Sequence, residues 1–166
     1  MAGTLTAADT TAIRKSAVML YSNGQRRTTN PLVEVRARLT VSTATRTDYP
    51  TGGILLTNQF TTGNASDLGF DVNQPIELVS QARLRKTATD YTVAMPCELA
   101  HTIGSAPTLV CYLGDANAAD SAEREHPNSD MTAATSFGAA GSHVCDITLR
   151  GVLRGGVSIE DLGGQK

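Results

Sequence analysis

Three segments of the chain alternate between apolar and polar residues with a period of two. They span residues 33–41, 76–85 and 145–154. In each segment Val, Leu, Ile, Ala or Cys side chains occupy one face, and charged or polar side chains occupy the other. Such alternation is typical of a strand with one buried face and one solvated face. Because antiparallel sheets commonly keep one face in water, the pattern predicts an all-β fold, an antiparallel β-sandwich.

Shorter apolar segments and turn-forming residues add to this prediction. Further strands are predicted over residues 53–57, 91–95 and 108–113. Residues rich in Gly, Pro, Asp, Asn and Ser predict tight connections at 48–53, 63–64 and 104–107. No segment carries a long helical apolar stripe. The best helix candidate is short, over residues 118–125, and Pro127 ends it.

The two least regular regions are the N-terminus and a long polar segment. Residues 1–30 are predicted to form an N-terminal arm with one edge strand, because small polar residues surround a single apolar run at 17–21. The arm either frays in solvent or packs on a neighbouring subunit. Residues 31–166 are predicted to form the β-sandwich domain. Within it, residues 114–142 are too many for a hairpin loop and predict a long polar surface loop.

Composition excludes several classes of partner. A formal net charge of −2 and a pI near 5.9 lack the basic footprint of a nucleic-acid-binding protein. Tryptophan is absent, which disfavours platforms for base stacking. No segment approaches the roughly 18 apolar residues of a membrane span, so no membrane partner is expected. Residues 1–6 contain neither a basic nor an apolar run, and we expect no signal peptide.

Cysteines and histidines were considered as metal ligands. Cys97 and His101 are four residues apart, and His143 and Cys145 are two apart. The paired cysteine spacing of structural zinc sites is nevertheless missing, so no metal is predicted. An odd number of cysteines without a secretion signal predicts reduced thiols. The acidic stretch 115–130 lacks the order of a calcium loop, and a solvated surface loop is the simpler interpretation.

Catalytic motifs are also missing. The chain contains no Gly-x-Ser-x-Gly elbow, and its glycines do not form a phosphate-binding run before a helix. No carboxylate spacing points to acid–base chemistry. The sequence therefore predicts a protein that is not an enzyme and uses no cofactor.

The polar faces of the alternating segments carry arginine in preference to lysine. We predict that these arginines point outward and contribute to a protein interface: Arg36, Arg38, Arg83, Arg85, Arg150 and Arg154. Arginine is enriched at interfaces because its planar guanidinium makes several directional hydrogen bonds. The alternative is a solvated strand face whose charges prevent aggregation.

A family resemblance follows from two motifs. The segment Asp48-Tyr49-Pro50-Thr51-Gly52-Gly53-Ile54-Leu55-Leu56, followed by Asp67-Leu68-Gly69-Phe70-Asp71, resembles a pattern in small virion proteins of tailed bacteriophages. As in that pattern, a β-rich remainder closes on a strand with Leu and Arg, here residues 147–154. The resemblance implies a capsid decoration, or cement, protein with a jelly-roll-like fold. It further implies a homotrimer on the capsid surface that binds neighbouring major capsid proteins and assembles in the host bacterial cytoplasm.

Two other interpretations remain open. The chain could be a tail, neck or minor coat component of the virion, which copy number would distinguish from a cement protein. It could also be a small β-barrel enzyme or a sugar-binding module. The feature that would identify it is a concave pocket with convergent histidine and carboxylate groups, and a meeting of His101, His126 and His143 in one pocket would favour it.

Overall fold

The computed structural model describes residues 3–20, 31–90, 94–113, 124–125, 130–132 and 137–162. Within these ranges the chain forms β-strands and two short 3₁₀ helices, Ala7–Asp9 and Thr57–Phe60. The strands are β1 (Thr10–Met19), β2 (Leu32–Ser42), β3 (Ile54–Leu55), β4 (Ile76–Leu78), β5 (Ala82–Arg85), β6 (Ala94–Ala100), β7 (Thr108–Leu113), β8 (Arg124–Glu125) and β9 (Ser142–Val152). The predicted all-β class is confirmed.

The strands build one antiparallel sheet that curls into a half-barrel, a sandwich- or barrel-like fold. Their order is β1-β2-β9-β5-β6-β7-β3. The longest ladder of the sheet joins β2 and β9, which pair from Leu32 with Val152 to Ser42 with Ser142. Strand β9 changes partner along its other edge, pairing with β4 at residues 149–151 and with β5 at Val144.

The core fills the concave side of this curled sheet. The alternation predicted for β2 and β9 is confirmed, since every second residue over 33–41 and over 145–151 is buried and the residues between them are more exposed. Val33, Val35, Leu39 and Leu149 have no solvent-accessible surface. Burial of each such side chain stabilises the fold by about 1.5–3 kcal/mol.

Strand β1 lies at one end of the sheet and pairs with β2, with a bulge between Arg14 and Ser16. The first half of its outer edge is covered by side chains from the 57–66 segment. The Ala12 amide donates to Ser66 Oγ at 3.1 Å, and Gln59 Nε2 donates to the Thr10 carbonyl at 3.2 Å. Residues 10–19 of the predicted arm thus belong to the sheet, whereas residues 21–30, with the predicted domain boundary, lie outside the described residues.

The Tyr-Pro-Thr-Gly-Gly motif forms the corner that leads into β3. Tyr49 is fully buried, and its hydroxyl accepts a hydrogen bond from the Cys111 amide at 3.0 Å. Gly53 donates to the Pro50 carbonyl and has a φ of 104°. A Cβ on Gly53 would lie 3.0 Å from the carbonyl oxygen of Leu109. Glycine is therefore required here for conformation and for space.

The Leu-Gly-Phe motif packs beneath the end of β9. Leu68 and Phe70 are fully buried on either side of Gly69, whose φ is 83°. The Gly69 carbonyl accepts a hydrogen bond from the Arg154 amide at 2.9 Å. A Cβ on Gly69 would meet a methyl group of Leu162 at 3.0 Å, so this motif also depends on its glycine.

Several predicted elements differ from the structure. The alternating segment 76–85 is two strands, because the Val79 amide donates to the Thr148 carbonyl and Ser80 Oγ accepts from the Thr148 amide, which interrupts the ladder. The strand predicted over 53–57 is reduced to β3 and ends in a 3₁₀ helix. Residues 91–93 lie outside the described residues, and β6 begins at Ala94.

The helix predicted over 118–125 is wrong at its C-terminal end. Arg124 and Glu125 form β8, which pairs with Leu113 and Tyr112 of β7. The remaining residues of that helix, 118–123, lie outside the described residues, as does much of the predicted loop 114–142. Pairing with an existing strand edge supplies backbone hydrogen bonds that outweigh the weak helical preference of a short polar segment.

Candidate protein-binding face

The convex side of the sheet, called here the outer face, carries the polar positions of the central strands. Strand register arranges them in rows across the sheet. One row joins Ile13, Arg38 and Asp146, and a second joins Ser16, Arg36 and Thr148. Side chains that are directly opposite on neighbouring strands lie within contact distance, so each row forms a continuous strip of surface.

A third row crosses the sheet near the other end of β2. It joins Val18, Glu34, Arg150 and Glu77. Arg150 Nη2 lies 3.3 Å from Glu34 Oε2, a partly exposed ion pair. Such pairs contribute little to stability but hold the two side chains in defined positions.

Asp146 binds two arginines on the outer face. Arg38 donates from Nε to Asp146 Oδ1 at 2.7 Å and from Nη2 to Oδ2 at 3.1 Å. Arg85 Nη2 lies 2.5 Å from Asp146 Oδ2. Hydrogen bonding from Arg38 and the charges of both arginines hold the pKa of Asp146 below its usual range. The carboxylate therefore stays ionised and fixes a three-strand cluster across β2, β9 and β5.

The six predicted arginines fall into two groups. Arg36 and Arg83 are exposed, and among the described residues no carboxylate oxygen lies within 4.0 Å of either guanidinium. Ion pairs engage the rest: Arg38, Arg85, Arg150 and Arg154. Because Arg36 and Arg83 have no such partner, they are the arginines best placed to pair with groups on another molecule.

Arg85 belongs to the outer face but is nearly buried within it. Its side chain is only 9% exposed, because it lies against Asp146 beside Val144. Arg154 also binds residues of its own chain. Its Nη2 lies 2.5 Å from Asp67 Oδ2, and its Nη1 donates to the Phe60 carbonyl at 3.3 Å. Arg154 thereby ties the end of β9 to the segment that carries the Leu-Gly-Phe motif.

Lys15 belongs to the outer face but was not predicted there. The bulge in β1 leaves Lys15 without a partner in the β2 register and changes the alternation around it. Lys15 and Arg36 line a cavity of about 370 Å³, whose other walls include Ser80, Gln81 and Thr148. A bulge has no reliable signature in a single sequence, so periodicity alone could not find this residue.

A second cavity of about 490 Å³ lies beside the first. Arg83, Pro96, Glu98 and Tyr112 line it, and Ser80 and Gln81 line both cavities. The Tyr112 hydroxyl donates to Glu98 Oε2 at 2.9 Å, so this carboxylate already has a partner. We call the two joined cavities the basic groove. It runs from Lys15 to Tyr112 across the outer face.

The described cysteines and histidines, which the sequence offered as candidate metal ligands, do not come together in one site. The three thiols are free and buried together in the core, with 3.4 Å between Cys97 Sγ and Cys111 Sγ. The hydrogen bond with Cys111 is the main cause that raises the pKa of Cys97, and the bond with Cys97 raises that of Cys145. In the part of the chain that the structure describes, no three ligand side chains are arranged to hold a metal ion.

The histidines also lie apart. His101 accepts from the Ile76 amide at 3.3 Å and lies 3.2 Å from the Val72 carbonyl oxygen. His143 stacks on Phe137, with 4.0 Å between ring centroids, and contacts neither of those partners. His126 lies outside the described residues. The two described histidines therefore give no support to the enzyme or sugar-binding interpretation, which a shared pocket would have favoured.

His143 is a buried link between three loops. Its Nδ1 lies 3.0 Å from the Lys86 carbonyl oxygen, which can only accept, so Nδ1 carries the proton. Its Nε2 then accepts from Thr43 Oγ1 at 2.9 Å. Burial lowers the pKa of His143, and the nearby charge of Lys86 lowers it further. The ring is therefore neutral near pH 7 and serves as a structural connector.

Comparison with known proteins adds no relative. The chain matches no family model, no curated protein and no solved structure. No helix among the described residues has the length and hydropathy needed to cross a membrane.

Proposed function

We propose that this chain is a structural virion protein that decorates and stabilises a bacteriophage capsid by binding across neighbouring major capsid proteins. The observation that carries the proposal is a set of exposed cations on the rigid outer face, Lys15, Arg36 and Arg83, which have no carboxylate partner among the described residues. Such cations are ready to form directional, charge-assisted bonds with another protein.

Apolar side chains beside these cations support a binding role. Ile13 and Val18 of β1 are 59% and 51% exposed and lie on the same face as Arg38 and Glu34. The central part of a protein interface is typically enriched in apolar side chains and arginine, and it is depleted in other charged residues. The ladder between β2 and β9 and the cluster at Asp146 preorganise the patch, which lowers the entropy cost of binding.

The motif resemblance supports the capsid as the partner. Both motifs have defined packing tasks, at the corner before β3 and beneath the end of β9, so they mark a conformation and not a catalytic site. A homotrimer would multiply modest contacts, since closed symmetric oligomers repeat one interface several times. A protein that binds only the assembled shell stabilises that shell by mass action.

Co-sedimentation with shells of the major capsid protein tests the proposal. The wild-type chain should sediment with the shells in high copy number, and light scattering should report a trimer before binding. The double variant Arg36→Gln/Arg83→Gln should lose most of its occupancy, whereas Arg14→Gln, an exposed cation on the other side of β1, should keep it.

Other outcomes would change the assignment. Only a few copies per purified virion would favour a tail, neck or minor coat component. A chain that is absent from virions and does not bind shells would overturn the virion assignment. Full occupancy of the double variant would show that another face contacts the shell.

A further inference from the structure

The basic groove has a charge that its own residues do not neutralise. Its two carboxylates are engaged, Asp146 by Arg38 and Arg85, and Glu98 by the Tyr112 hydroxyl. The groove cations do not have such partners among the described residues: Lys15, Arg36 and Arg83. The formal net charge of the whole chain is −2, so this local excess of positive charge is opposite in sign to the molecule.

Among the residues whose side chains the structure describes, basic side chains also outnumber carboxylates on the outer face. The basic side chains are Lys15, Arg36, Arg38, Arg83, Arg85 and Arg150, and the carboxylates are Glu34, Glu77, Glu98 and Asp146. Because a groove excludes part of the solvent, it concentrates the field of these charges toward an incoming ligand.

The shape of the groove suits an extended chain. Strands β2 and β5 lie on either side of β9, and the register places Arg36 beside Thr148 and Arg83 level with Asp146. The two arginines are therefore two strand spacings across the sheet and two residues along it apart, about 12 Å. In an extended segment, side chains two residues apart project to the same side with a separation of about 7 Å. The flexible stems of arginine and of acidic side chains span the remaining distance. Two alternate carboxylates can therefore meet the two guanidinium groups.

We propose that the basic groove binds an extended acidic segment of the partner protein. The partner's identity as a capsid protein rests on the proposed function, but the chemistry rests on the groove. Each guanidinium pairs with a carboxylate, and Lys15 contributes a third positive charge beside Arg36. Gln81 lines both cavities and offers a donor and an acceptor to the backbone of the segment.

Nucleic acid is a weaker fit for the same charges. Binding of single strands without sequence preference relies on aromatic side chains on which bases stack. Among the described residues that line the groove, Tyr112 is the aromatic one, and its hydroxyl is held by Glu98. Alternating carboxylates match the discrete, directional guanidinium groups better than a stacked polymer does.

A peptide-binding measurement on the full chain tests this proposal. The probe is a labelled Gly/Ser-rich peptide with three glutamates at alternate positions, and the matched control peptide has glutamine at those positions. Fluorescence anisotropy should show binding of the glutamate peptide that weakens with added salt, and no binding of the glutamine peptide. Arg36→Gln/Arg83→Gln should weaken binding roughly fivefold to tenfold, while Arg14→Gln should not change it.

A charge-reversal double variant distinguishes a loss of binding from a loss of folding. Arg36→Glu/Arg83→Glu should reject the glutamate peptide and bind a peptide with lysine at the same positions, which an unfolded variant would not do. Equal binding of the glutamate and glutamine peptides would overturn the proposal. So would tighter binding of a single-stranded oligonucleotide at the same salt concentration.

The same experiment separates this inference from the proposed function. If the chain sediments with capsid shells but the glutamate peptide neither binds nor competes, the groove assignment fails and the decoration role stands. If the peptide binds but the chain is absent from virions, the decoration role fails and the groove remains a site for acidic segments.

Discussion

The hydroxyl of Tyr49 accepts a hydrogen bond from the backbone amide of Cys111 at 3.0 Å, in a part of the core that solvent does not reach. This bond joins the motif before β3 to the middle of β7. It explains why the corner needs tyrosine at this position, since phenylalanine would fill the space but leave the amide without its partner.

Tyr49→Phe should therefore destabilise the protein. An unsatisfied buried amide costs about 1–3 kcal/mol, and the lost free energy should appear in urea unfolding curves as a lower midpoint with an unchanged slope. Tyr112→Phe is the matched control, because its hydroxyl bonds Glu98 at the surface and its loss should cost less than about 1 kcal/mol. Equal effects of the two substitutions would contradict this role of Tyr49.

The two glycines of the same corner should respond differently to alanine. Both have positive φ, 84° at Gly52 and 104° at Gly53, so each substitution strains the backbone by about 1 kcal/mol or more. A Cβ on Gly52 meets no atom within 4 Å, whereas one on Gly53 lies 3.0 Å from a backbone oxygen. Gly53→Ala should thus lower the melting temperature clearly more than Gly52→Ala. The reverse order would refute the packing argument.

Asp146 should link stability to acid pH. Its folded pKa is depressed by Arg38 and Arg85, so this contribution to stability is present above the unfolded value of 3.8 and is lost as pH falls through the folded value. Asp146→Asn should remove that dependence and also leave the nearly buried Arg85 without its carboxylate, at a cost of about 1–3 kcal/mol.

The control for Asp146 is Glu77→Gln, which neutralises an exposed carboxylate of the same face that lies within 4.0 Å of no basic group among the described residues. Unfolding free energies should be compared between pH 2.5 and pH 6 for the wild type and both variants. An unchanged pH dependence in Asp146→Asn would show that other carboxylates dominate the acid transition.

His143 should make the protein less stable in mildly acidic solution. Burial lowers its folded pKa below the ordinary value of 6.5, so above pH 6.5 both folded and unfolded states hold a neutral ring and no effect arises. As pH falls below 6.5, the unfolded chain takes up a proton that the folded chain does not, and stability decreases until the folded pKa is reached. His143→Gln should flatten this slope between pH 5 and 6.5 in unfolding free energies measured across that range, and an unchanged slope would show that other groups set it.

The three cysteines should resist modification in the folded protein. Cys97, Cys111 and Cys145 are buried, and mutual hydrogen bonding raises the pKa of Cys97 and Cys145, so little thiolate is available. Ellman's reagent at pH 8 should react slowly with native protein and with three thiols per chain in urea. Thr62→Cys, in an exposed turn, should add one thiol that reacts at once. Fast reaction of the wild type would contradict the buried cluster.

Much of the fold follows from the sequence because burial imposes a clear period on β2 and β9. Each has eleven residues and one fully buried face, so neither could shift its register by one residue without exposing that face. For segment 76–85, periodicity did not predict the division into two strands. Its period is regular, but hydrogen bonds to Thr148 divide it, and those bonds depend on a residue some 70 positions away.

The candidate site was predicted less completely for the same reason. Alternation identified Arg36 and Arg83 on the outer face, but it could not separate them from Arg85, whose burial depends on Asp146 and Val144 of another strand. Lys15 was missed because a bulge in β1 changes the alternation locally. Contacts with distant strands and the bulge in β1 decide which cations can bind another molecule, and the period of the sequence reports neither of them.

Gln59 and Ser66 cover part of the outer edge of β1, and this affects how copies of the chain associate. An uncovered strand edge can pair with the edge of another chain, and repeated pairing of this kind leads to aggregation. Here the backbone groups at Thr10 and Ala12 are already occupied. Edge-to-edge pairing is therefore blocked at these two residues, and a contact made there by another chain has to use side chains.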